Sequence, residues 1–123
     1  MAEISLLLVD DELPLLGLLK KYLEREGFTV ETAETGAQAL AAIDDMRFNL
    51  VVLDLNLPDL AGEEVLKDLL ARSPDCRVLV SSGMPYSRDR VPESDRARVG
   101  VLMKPYVPRQ LVEAIRNILV EKG

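Results

Sequence analysis

Short runs of leucine and β-branched residues recur along this chain, each followed by a longer stretch of helical spacing, and few folds tolerate that order. Residues 4–9, 28–32, 50–53, 77–81 and 99–103 read as strands. Strands that alternate with helices pair in parallel and carry helices on both faces. The first and third runs are apolar almost throughout, as expected of strands covered on both sides. The pattern predicts an α/β fold, a single doubly wound parallel sheet of five strands.

The helical stretches carry their own punctuation. Pro14 suits a first helical turn, and Gly27 supplies a stop after about Glu26. Thr35 can cap a second helix reaching about Met46, with Ala39, Leu40 and Ile43 on its apolar face. A third helix is predicted over 63–72, with Val65, Leu66, Leu69 and Leu70 inward, before Pro74. Between Met84 and Arg98 the pattern is poor, because Pro85 and Pro92 interrupt it, and only a short or displaced fourth helix is expected. Pro108 opens a last helix in which Leu111, Ile115, Ile118 and Leu119 recur at helical spacing.

Length and composition narrow the possibilities. A chain of 123 residues suits one domain, expected here to run over 1–123. With no histidine, catalytic triads and His-ligated metals are excluded, so acid and base work falls to carboxylates and lysine. A net charge of −6 opposes direct binding to nucleic acid. The N-terminus has no basic region followed by a long apolar segment, and no apolar run reaches a span of about 20 residues, so the expected location is the cytoplasm, without a membrane. The single cysteine, Cys76, lies in an apolar run and reads as a small buried hydrophobe.

In a parallel sheet all strands point their C-terminal ends to one edge, where ligands bind. The residues that follow the strands are Asp10 and Asp11, Asp54, Ser82, and Lys104. Taken singly, each has a plain alternative: an N-cap for Asp10 or Asp11, a solvated charge for Asp54 or Lys104, a turn residue for Ser82 before Gly83. Independent capping and turn choices do not gather them on one edge. Clustered carboxylates repel unless a cation neutralises them, and an all-oxygen set with room for a phosphate suits Mg2+. Lys104 and Ser82 then offer positive charge and a hydrogen bond to phosphoryl oxygens, which is most of what phosphoryl transfer asks of a protein.

The pair Asp10-Asp11, Asp54 ahead of Leu55-Asn56-Leu57-Pro58, Ser82-Gly83 and Lys104-Pro105-Tyr106 together resemble the receiver domains of two-component systems, over residues 4–120. The resemblance implies a flavodoxin-like or CheY-like fold with strand order 2-1-3-4-5. It implies Asp54 as phosphoacceptor, Mg2+ held by Asp10, Asp11, Asp54 and the backbone carbonyl of Asn56, Lys104 on the phosphoryl group, and Ser82 as a switch hydroxyl. The Lys104-Pro105 bond is cis in the family. The implied partners are a histidine kinase or histidine phosphotransfer protein and a downstream effector, and the implied role is signalling, not turnover of a separate substrate. Receivers that signal through a swinging aromatic carry it three residues before the lysine, where this chain has Val101. The stretch Gly83-Met84-Pro85-Tyr86 looks more like receivers of hybrid histidine kinases.

Two rival families share part of this pattern. Haloacid-dehalogenase-type phosphatases also use an aspartyl phosphate, Mg2+, Ser or Thr and Lys, but place the nucleophilic Asp first, a second Asp two residues on, and the acidic pair last. Here the pair comes first and Asn56 stands where the second Asp would be. A degenerate receiver that binds without phosphorylation is opposed by the intact acidic pair, Asp54 and Lys104.

Overall fold

The computed structural model describes residues 3–120. Strands β1 (Ser5–Val9), β2 (Thr29–Ala33), β3 (Leu50–Asp54), β4 (Arg77–Ser82) and β5 (Val99–Met103) alternate with helices α1 (Leu13–Arg25), α2 (Gly36–Asp45), α3 (Gly62–Arg72) and α4 (Pro108–Val120). All pairings are parallel, in the order β2-β1-β3-β4-β5, which is the doubly wound arrangement expected. The first two and last three residues of the expected domain lie outside the described residues.

Alternation along the strands builds two cores. Leu7, Val9, Val51, Leu53, Val78 and Val80 pack with Ala39, Ile43, Val65, Leu66 and Leu69 on the α2 and α3 face. Leu6, Leu8, Leu50, Val52 and Leu79 pack with Leu16, Leu19, Leu23, Leu111, Ile115 and Ile118 on the α1 and α4 face. The predicted punctuation is present. Thr35 caps α2 by accepting from the Gln38 N–H at 3.1 Å, and Gly27 adopts φ +101°, a backbone region that side chains disfavour. Cys76 is buried, as read.

The stretch 84–98 forms no α-helix among the described residues, only two 3-10 turns, Arg88–Arg90 and Glu93–Arg98. Pro85 and Pro92 confine the first part to a few residues, and β5 begins at Val99, so neither stretch has room for more than a turn or two. Arginines hold the segment instead: Arg96 donates to the carbonyls of Val91 and Asp89, and Arg88 to that of Val99. Arg98 reaches the carbonyls of Leu70, Ser73 and Cys76 and pairs with Asp95 at 3.1 Å. Tyr86, whose ring lies 5.8 Å from the Arg90 guanidinium, packs against the α2 and α3 core, as Val101 does.

Candidate functional site

Strand phase decides what meets at the C-terminal edge. Asp10 continues the phase of Leu6 and Leu8, Asp54 that of Leu50 and Val52, and Lys104 that of Leu102, so all three belong to the α1 and α4 side of the sheet. Lys104 Nζ donates to Asp10 Oδ2 at 3.1 Å and to Asp54 Oδ2 at 3.4 Å. Asp10 and Asp54 are only 6% and 5% exposed, so water does little to screen their repulsion, and the ammonium must do it. Burial pushes the Asp54 carboxyl above its usual range, the Asp10 charge adds to this, and the Asn56 N–H and Lys104 oppose it. Burial also works against the Lys104 ammonium, but its bonds and charge pairing with Asp10 and Asp54 outweigh that and raise its pKa.

Asp11 is exposed and completes the acid cluster. One carboxylate oxygen from each of Asp10, Asp11 and Asp54 lies within 4.8 Å of the others. Neither Asp10 nor Asp11 caps α1: Glu12 is the N-cap and makes no side-chain cap bond, while Asp10 Oδ1 accepts from the Glu12 N–H at 3.0 Å. One lysine cannot balance three carboxylates, two of them buried. Hard oxygen donors this close suit a small divalent cation.

Loop 55–61 is shaped to hold this edge. Asp54 Oδ1 accepts from the Asn56 N–H at 3.1 Å, and Asn56 bridges to Ala61 in antiparallel sense. Gly62 is obligatory there, since a Cβ would collide with the Leu55 backbone. On the far side of the edge, Ser82 ends β4 with the phase of Val78 and Val80, and its Oγ is bonded to both backbone polar groups of Met84. Ser81 lies opposite Asp54 in register, and its Oγ is buried. Tyr106 packs against the α1 and α4 core, where burial raises its phenol, with the Ser81 hydroxyl and the Lys104 charge opposing. No motif singles out Asp59, the residue that ties this loop to α2; the Pro58-Asp59 pair, a turn signal, is the only hint of it. The Lys104-Pro105 bond is cis. No helix of the described residues is long and apolar enough to cross a membrane.

Comparison with known proteins shows the family. A family model described as the response regulator receiver domain matches residues 6–116. The transcriptional regulatory protein PrrA of Mycobacterium tuberculosis is 36% identical over 117 residues, which are 95% of this chain and 50% of that protein. The CpxR homolog of Haemophilus influenzae is 39% identical over 115 residues, 94% of this chain and 50% of that protein. The chain thus spans about half the length of these curated relatives. Among solved structures, a CheY-like receiver domain protein of Methanospirillum hungatei superposes with a TM-score of 0.86 at 33% identity, covering 96% of this chain and 94% of that one. The response regulator TrrA of Thermotoga maritima, solved in complex with Mg2+ and BeF, gives a TM-score of 0.78 at 30% identity, covering 94% of this chain and 98% of that one. Matched by that family model over most of its length, the chain belongs to the receiver domains of response regulators in two-component signalling.

Proposed function

We propose that residues 1–123 act as one receiver domain that takes a phosphoryl group from phosphohistidine onto Asp54. The observation that carries this reading is the convergence of Asp10, Asp11, Asp54 and Lys104 on one sheet edge, with Lys104 Nζ 3.4 Å from the accepting carboxylate. An Asp54 carboxylate oxygen attacks phosphorus, the P–N bond of the donor breaks, and its electron pair returns to the imidazole, which takes up a proton. Lys104 sits where it meets the charge on the phosphoryl oxygens, and Ser82 can donate a hydrogen bond to them. Asp10, Asp11, Asp54 and the Asn56 carbonyl are the groups that would hold Mg2+. When bound, the ion offsets carboxylate repulsion and shields the incoming phosphoryl charge.

The donor is a histidine kinase or a histidine phosphotransfer protein, and the recipient of the signal is a downstream effector protein or domain. The group ends on the protein's own aspartate, so the role is signalling rather than turnover of a separate substrate. The site of action is the cytoplasm, with neither a membrane nor nucleic acid as a direct partner; the −6 charge supports the latter. The curated relatives are named as transcriptional regulators, which favours an effector of that kind over the hybrid-kinase context suggested by Gly83-Met84-Pro85-Tyr86. Mass spectrometry after treatment with acetyl phosphate and Mg2+ is expected to show one added phosphate, lost in Asp54→Asn. Equal labelling of that variant would sink the assignment.

A further inference from the structure

Loop 55–61 has to carry the Asn56 carbonyl at a fixed place, and on the sheet side it is held by the Asp54 carboxylate, by the Leu55 N–H on the Ser81 carbonyl and by Leu55 and Leu57 on the core, none of which ties it to α2 by a hydrogen bond. The anchor toward α2 is Asp59. Its Oδ1 accepts from the Gly36 N–H at 2.8 Å and its Oδ2 from the Ala37 N–H at 3.0 Å, occupying the first two donors of α2. Those bonds hold the Asp59 carboxyl below its usual range. Gly36 is the seat of this contact in a second way. A Cβ on it would lie 2.8 Å from Val65 Cγ2 and 3.0 Å from Leu60 Cδ1, so only glycine lets Leu60 settle against the start of α2 while Asp59 spans its N–H groups.

We infer that Asp59 is a positioning residue for the cation site: by fastening loop 55–61 to the N-terminus of α2, it holds the Asn56 carbonyl where Asp10, Asp11 and Asp54 converge. This rests on the reading of Asn56 as a ligand given above. Asp59 stands outside the cluster of Asp10, Asp11 and Asp54 and acts through the loop. It also couples α2 to the site, since any movement of Asn56 is felt at Gly36 and Ala37.

The test is isothermal titration of the full chain with Mg2+, at a temperature where circular dichroism shows each variant folded. Groups that orient metal ligands typically change affinity about 10-fold or more when removed, and for this more remote tie a loss of about fivefold or more is expected in Asp59→Ala. Asp59→Asn preserves the side-chain shape and one acceptor oxygen, so it folds as the parent does and is expected to lie between. Arg116→Ala, which removes the exposed contact of α4 with Glu26, is expected to bind as the parent does. In the parent the Gly36 and Ala37 amide resonances are expected to shift on adding Mg2+, and in Asp59→Ala the Ala37 shift is expected to vanish. Parental affinity in both Asp59 variants overturns the role of Asp59 alone. Absence of Mg2+ binding in the parent overturns this inference together with the metal site.

Discussion

Ser82 Oγ donates to the Met84 carbonyl oxygen at 2.8 Å and accepts from the Met84 N–H at 3.1 Å. A hydroxyl has one hydrogen, so donating it to a phosphoryl oxygen on Asp54 means releasing the Met84 carbonyl. A phosphoryl group on Asp54 would thereby be tied to the backbone at the start of the arginine-held segment. NMR shifts on adding Mg2+ and beryllofluoride are expected to spread from Asp54 through Ser82 into residues 84–107, and to stop at the metal site in Ser82→Ala. The same spread in both proteins would remove Ser82 from the path.

Lys104 is the cation that two buried carboxylates share, at 3.1 and 3.4 Å. Lys104→Met leaves Asp10 and Asp54 facing each other without it, a change expected to cost about 2–3 kcal/mol in the presence of a chelator. Added Mg2+ is expected to raise the melting temperature of the parent and to restore much of the loss in the variant. Melts of the parent that ignore Mg2+ contradict a metal site at this edge.

Arg98 serves three carbonyl oxygens, those of Leu70, Ser73 and Cys76, and its side chain is largely buried. Arg98→Ala strands them, with an expected loss of about 2–4 kcal/mol in urea denaturation. Arg98→Lys is expected to recover little of it, because an ammonium cannot fork among three acceptors. A lysine variant as stable as the parent would show that charge alone matters there.

Burial pushes the Cys76 thiol from 9.0 up to about 11, with the Arg98 charge opposing. The folded protein therefore holds this proton more tightly than the unfolded chain does. That contribution is complete below pH 9 and is lost as pH rises towards 11, amounting to about 3 kcal/mol. Stability measured against pH is expected to fall more steeply in the parent than in Cys76→Ala over this window. Parallel curves would mean that the thiol ionises without penalty.

Much of this molecule is legible before any coordinates. Short, nearly continuous apolar runs that give way to helical spacing bury their residues best as a parallel sheet covered on both faces, and that sheet brings Asp10, Asp11, Asp54, Ser82 and Lys104 to one edge because every strand runs the same way. Thr35 and Gly27 are equally readable, since a cap and a left-handed stop depend on the residue itself and its immediate neighbours. Three features depend instead on distant parts of the chain. The 84–98 segment is shaped by arginines reaching main-chain carbonyls, Lys104 by two aspartates far away in sequence, and Asp59 by N–H groups 23 and 22 residues earlier. A long or charged side chain chooses its partner by proximity in space, which sequence spacing does not encode, so only the tertiary structure decided what these residues hold.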